Sequence, residues 1–283
     1  MIRARRHNPL TAPALAAAVA LAAAPAAPAA PADLANLLAA KAPAVVTVEY
    51  LLKIEVSGDL GQAMGTEHEL EGTATCSFID PKGLLLCSNM QLSGPAAQMM
   101  KGMMNNLEMT TTPAAFEVLA GPEGKSLPAT LVARDSDLDL AWLQIDQPGE
   151  QRFPHLDLAA RADLAVGDDF VMVRRMGHYF GGEAALQLGT VGAVVDRPHR
   201  LYVPALTAAS AYGLPVFTVG GKLVGFTVLE VPDDVGGSSS TFSMLTTSSR
   251  LQEGMGGLIL PAARVAQATE VAREMMAADA AEE

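Results

Sequence analysis

The sequence predicts an all-β protein, built as a barrel or a sandwich, and three observations carry that expectation. Short apolar or alternating segments recur along most of the chain, with Gly, Pro and Asp between them. One of the breaks, "DPKG" at 80–83, is a turn signal between two apolar runs, the mark of a hairpin. The long helical periods that a βαβ sheet needs between its strands are missing.

The elements follow in order. Residues 33–42, "DLANLLAAKA", read as a short helix with Asp33 near its N-terminus. In "VVTVEYLLKIEV" the residues Val46, Val48, Tyr50, Leu52, Ile54 and Val56 share one face, and Thr47, Glu49, Lys53 and Glu55 share the other. This period of two describes a half-buried strand. "GTATCSFIDPKGLLLCSNM" is a hairpin, and a loop centred on Pro81 and Lys82 sets Cys76 opposite Cys87. Cross-strand neighbours of this kind can form a disulfide, and two buried thiols are the other reading. Further strands are expected at "AFEVLAG", "LPATLVARD", "DLAWLQID", "DFVMVRRMG", "AALQLGTVGAVVD", "RLYVPAL", "PVFTV", "KLVGFTVLEV", "TFSMLTT" and "GGLIL". The loop "DQPGEQRFP" (146–154) divides them into two groups. "PAARVAQATEVAREMMAADA" is a terminal helix with Pro261 at its start and Val265, Ala268, Ala272 and Met275 as its apolar stripe.

The first 32 residues carry Arg3, Arg5 and Arg6, then an Ala/Leu-rich run, then A-P-A triplets. That layout is a secretory signal peptide, with cleavage after Ala32, Ala29 or an earlier Ala. The expected location is therefore exported, periplasmic or extracellular. No later segment is long and apolar enough to span a bilayer. Without the leader arginines, 31 acidic residues face 16 basic ones, a net charge near −15. Such a surface repels nucleic acid and anionic headgroups. No cofactor is expected.

Six segments in a fixed order carry a resemblance to a known family. They are "KAPAVVTVEY", "CSFIDPKGLLLCSNM", "LPATLVARDSDLDLAWLQID", "FPHLDLAARADLAVGDDFVMVRRMG", "SAYGLPVFTVGGKLVGF" and "GGLILPAARVAQA". Together they resemble the trypsin-like serine peptidases, most closely the HtrA (Deg) type, from about residue 35 to residue 275. The resemblance implies two perpendicular six-stranded β-barrels, a short N-terminal helix and a C-terminal helix. The implied division is a signal peptide over 1–32, a first barrel over 33–148, a second over 149–260, and a helix and tail over 261–283. A PDZ domain, common in the family, would not fit in the remaining length. HtrA-type enzymes often form trimers, so a homo-oligomer stays open.

The resemblance also places a catalytic triad, in the order His, Asp, Ser. The Asp position falls on Asp139. The His position falls on Met90 in "CSNM", and the Ser position on Tyr212 in "SAYGLPVF". Two of the three members are thus replaced. A serine hydroxyl needs an imidazole to accept its proton, and the carboxylate only orients that imidazole. A thioether cannot take up a proton near neutral pH, and a phenol has a free pKa near ~10. Asp139 is then left to bond nearby backbone N–H groups at the start of a strand. In the nucleophile turn Ser210 and Leu214 replace glycines of the family's pattern, while Gly213 and Pro215 remain. Leu214 is expected to crowd the path of a substrate backbone. Ser210 is the nearest substitute nucleophile, but it requires a shifted turn. None of His68, His155, His178 and His199 has a context that sets a base beside Asp139.

The reading is a peptidase homologue without catalysis, acting on a peptide or protein partner or regulating a peptidase. An active peptidase with displaced groups is the alternative. A third reading rests on Met99, Met100, Met103 and Met104, whose spacing puts thioethers on neighbouring helical positions, as in a Cu(I) site. The same side chains also suit a packed groove edge.

Overall fold

A computed structural model of the protein describes residues 31–56, 67–93, 109–120, 126–205, 212–229 and 257–282. The leader, the Met99–Met104 segment, Ser210 and the strand expected at "TFSMLTT" lie outside the described residues. Helix α1 runs over Pro31–Lys41, and a 3-10 turn at Ala42–Ala44 leads into β1, Val45–Val56. The first group continues with β2 (Glu67–Phe78), β3 (Leu84–Ser88), the one-turn helix α2 (Asn89–Leu92), β4 (Met109–Leu119), β5 (Ser126–Asp135) and β6 (Leu140–Ile145). The second comprises β7 (Asp169–Arg175), β8 (Ala184–Val195), β9 (Leu201–Pro204), β10 (Pro215–Thr218), β11 (Leu223–Val228) and β12 (Leu258–Pro261), followed by α3 (Ala262–Glu282).

Each group closes on itself. The first barrel has the order β1-β2-β3-β6-β5-β4, and the second β10-β11-β12-β9-β8-β7. All pairs between named strands are antiparallel, so closure removes most sheet edges. The alternation in β1 places Val46, Val48, Tyr50 and Leu52 in the first barrel's interior, with Glu49, Lys53 and Glu55 exposed. A second core fills the other barrel around Phe170, Tyr202 and Val216. A third lies between the barrels and under α3, with Trp142, Val171, Phe226 and Val265 among its members.

The β2–β3 hairpin takes the expected register, with Ser77 opposite Leu86 and Phe78 opposite Leu85. Cys76 and Cys87 are joined as a disulfide, their Cα atoms 4.5 Å apart. That spacing belongs to an antiparallel pair that exchanges no backbone hydrogen bonds.

The terminal helix differs from its expected stripe. Val265 and Ala272 are buried, but Met275 is 53% exposed and Met276 takes the inward place. The true stripe runs through Thr269, whose hydroxyl accepts a 3.1 Å bond from the Trp142 indole and donates to the Val265 carbonyl. A polar residue in the stripe shifts the apparent phase of the apolar pattern. Arg273 adds a 3.1 Å ion pair to Asp80 in the β2–β3 turn. At the other end, Arg175 of β7 donates to the Val45 and Ala42 carbonyls at 2.6 and 2.7 Å, so the second barrel holds the chain entering the first.

Candidate functional site

The positions assigned to the triad converge on the seam between the barrels. The β5–β6 hairpin delivers the first. Asp135 accepts bonds from the Asp137 and Leu138 amides at 3.1 and 3.0 Å, a tight turn that ends with Asp139 at a φ of +56°. Asp is among the few non-glycine residues that adopt this conformation at modest cost. The turn buries the Asp139 side chain, which is only 3% exposed.

Its carboxylate is enclosed by donors. The Ser88 hydroxyl approaches both oxygens, at 3.0 and 2.9 Å. The Met90 amide donates to Oδ1 at 2.7 Å and the Leu229 amide to Oδ2 at 2.9 Å. The bonded amides are therefore not sequence neighbours, as expected above, but lie 49 and 90 residues away. One comes from the first barrel and one from just past β11, so the carboxylate fastens the two barrels together. Burial raises the Asp139 pKa above its ordinary value, and the hydrogen bonds from Met90, Leu229, Ser88 and Asn89 oppose that rise. No imidazole is among these donors.

The Met90 segment is wired just as closely. Ser88 caps α2, accepting the Gln91 amide at 3.3 Å while its proton goes to Asp139. The Gln91 side chain accepts the Thr75 amide of β2 at 3.2 Å. The pattern S-x-x-Q at 88–91 is a capping signature legible in the sequence, though here Gln91 reaches another strand instead of the Ser88 amide.

The 212–216 turn faces this pocket from the second barrel. Tyr212 is half-buried, and burial first, then the negative charge of Asp139, raises its phenol pKa. Gly213 has a φ of +72°, and a Cβ built on it would lie 3.0 Å from both the Ser88 nitrogen and the Thr75 carbonyl oxygen. Only glycine lets the turn approach the first barrel this closely. The Gly213 amide donates to the Thr227 carbonyl at 2.7 Å and the Leu214 amide to the Thr227 hydroxyl at 2.9 Å. Both are thus engaged inside the second barrel. Leu214 does not crowd a substrate path: it is 5% exposed and packs in the second barrel's core, because the turn rotates its side chain inward. Pro215 opens β10.

The histidines are dispersed. His155 lies on the connection after β6 with Nδ1 3.3 Å from the Phe153 carbonyl, His68 on β2, His178 in the 178–180 turn, and His199 before β9. Three cavities of about 510–620 Å³ are lined by described residues elsewhere, and none of the three touches Met90, Asp139 or Tyr212. No group of three His, Cys, Asp or Glu among the described residues could hold a metal ion. No helix of the described residues is long and apolar enough to cross a membrane.

Comparison with known proteins agrees with this architecture. Among proteins of curated function none matches the sequence. Among solved structures, an HtrA-type protease, AlgW, determined with a decapeptide, is similar in fold with a TM-score of 0.50 and 16% identity. The similarity covers 86% of this chain and 66% of that one, so the chain spans just under two thirds of its relative's length. The family model for a trypsin-like peptidase domain matches residues 74–226, more than half of the chain. From the paired barrels, the Asp139 seam and this match, the chain belongs to the family of trypsin-like peptidase domains.

Proposed function

We propose that this protein is an exported, catalytically inactive relative of the HtrA-type peptidases that acts by binding a peptide or protein partner or by regulating a peptidase. The observation that carries the reading is the Asp139 carboxylate, saturated by Ser88, Met90 and Leu229, with a thioether and a phenol at the two positions that chemistry would need. A working triad uses the carboxylate to orient an imidazole. Here its lone pairs are directed at a hydroxyl and two amides, and its role is to join the barrels. A phenol with a raised pKa, and with no imidazole bonded to it among the described residues, stays protonated near neutral pH. The basic, apolar and A-P-A segments of the leader support export.

The test is treatment of the purified protein with a fluorophosphonate probe and with unfolded casein. Neither labelling nor cleavage is expected. Covalent labelling, or cleavage that disappears in Ser210→Ala, overturns the reading in favour of a displaced nucleophile. Fractionation of cells producing the full chain checks export.

A further inference from the structure

One strand leaves its barrel with an open side. β2 pairs with β1 along its whole length, from Glu67 opposite Glu55 to Ser77 opposite Val45. On its other side it pairs with β3 only at Ser77 and Phe78, next to the Cys76–Cys87 link. The Thr75 amide points away from β1, since Gln91 takes it. The disulfide-linked pair gives the same phase, because a spacing of 4.5 Å marks Cys76 as directing its own backbone groups towards β1. Alternation then points the N–H and C=O groups of Glu67, Glu69, Glu71 and Thr73 outward, and no strand among the described residues pairs with them. From Glu67 to Thr73 this open edge is about 20 Å long at ~3.4 Å per residue.

The same residues turn their side chains to the outer face of the sheet, where β1 and β4 add Glu49, Glu55 and Glu117 against a single Lys53. Glu49 stands opposite Glu117 and Glu55 opposite Glu67, arrangements that destabilise a sheet unless a cation relieves them. Between them lies a shallow cavity of about 510 Å³ lined by Glu49, Leu51, Glu71, Thr73 and Glu117. These carboxylates run along the strands and do not converge on a point that could hold a metal ion.

We propose that the β2 edge from Glu67 to Thr73 docks an extended basic segment of a partner protein by strand addition. The incoming backbone takes the outward N–H and C=O groups, and alternate Lys or Arg side chains lie over the glutamate face and its cavity. A second copy of this chain is a poor occupant, since pairing two such edges sets glutamate against glutamate. The inference does not depend on whether the Asp139 site is inert, and its experiment reads binding, not turnover.

The probe is a fluorescent peptide of about ten residues alternating Lys and Thr, against a peptide of the same composition with all Lys at one end and a Glu–Thr counterpart. The alternating peptide is expected to bind about tenfold more tightly than the blocked one, with no binding of the Glu form. Bound peptide should slow hydrogen exchange at the Glu69, Glu71 and Thr73 amides. Glu71→Pro removes one outward N–H without breaking a β1 bond and should weaken binding about tenfold, while Glu69→Gln with Glu71→Gln should flatten the salt dependence. Should Glu71→Pro fail to fold, the double glutamine variant and the exchange measurement decide alone. Equal binding of alternating and blocked peptides, exchange protection of those amides already in the free protein, or no binding overturns the proposal.

Discussion

The seam between the barrels has two sides that differ in how their side chains are held. On the first-barrel side, Asp139 is buried with both oxygens hydrogen-bonded, and Ser88, Met90 and Gln91 supply a connected set of bonds around it. On the second-barrel side, the turn at 212–216 has a backbone path fixed by the positive φ of Gly213, while Tyr212, at the position proposed for the nucleophile, is only half-buried. Removing the buried acceptor would orphan two amides from different barrels, whereas a half-buried side chain at a turn can change with little loss. Fold and chemistry are therefore separable at this seam: the parts that stabilise the fold persist whether or not the site reacts.

The largest test of this contrast is Asp139→Ala. It leaves the Ser88 hydroxyl and the Met90 and Leu229 amides without an acceptor, at an expected cost of about 3–5 kcal/mol. Tyr212→Ser, on the other side, should cost about 1–2 kcal/mol for lost burial. Denaturant unfolding of both variants checks the ordering, and equal costs would erase the asymmetry. Gly213→Ala comes next. Its Cβ would press on the Ser88 nitrogen and the Thr75 oxygen at 3.0 Å, in a backbone conformation an alanine adopts with strain, for about 2–4 kcal/mol. That loss would show that the backbone of the turn matters where its side chain does not. Replacing Cys76 and Cys87 together by Ser should cost about 2–3 kcal/mol, given a closed loop of separation 11. It acts only on the first-barrel side, and thermal unfolding with and without reductant reads it.

The strands were largely legible in the sequence because alternation and turn residues are local signals. β1 and the "DPKG" hairpin, with its disulfide register, follow from period and loop length alone. β4 begins at Met109, but only "AFEVLAG" is legible as a strand, because Thr110–Thr112 and Pro113 carry no apolar alternation. Long-range partners were not legible. Nothing near Asp139 announces the Leu229 amide, and Thr269 reads as a break in an apolar stripe until Trp142 is set beside it. Leu214 faces away from its expected direction for a similar reason: its identity is plain in the sequence, but which side of the turn it faces depends on Thr227, which holds both its amide and its carbonyl.

The smallest effects are electrostatic and tie the two sides together. Burial raises the Asp139 pKa, so the contribution of this group to stability is full below the unfolded value of 3.8 and is lost as pH rises through the higher folded value. Asp139→Asn should remove that part of the slope, while also leaving one amide facing the new NH2 group at a cost of about 1–3 kcal/mol. Tyr212 has the same sign at the alkaline end: its contribution is full below 10.0 and is lost as pH rises through its raised folded pKa. Tyr50 and Tyr202 are also raised by burial, so the quantity to read is the difference between the protein and Tyr212→Phe, which should decline less steeply in alkali. Because part of the Tyr212 shift comes from the charge on Asp139, ultraviolet titration of Asp139→Asn should show the Tyr212 phenol ionising at lower pH than in the unsubstituted protein, still above 10.0 because burial remains. An unchanged phenol titration would mean that the two sides of the seam do not sense each other, and that the carboxylate acts through its hydrogen bonds alone.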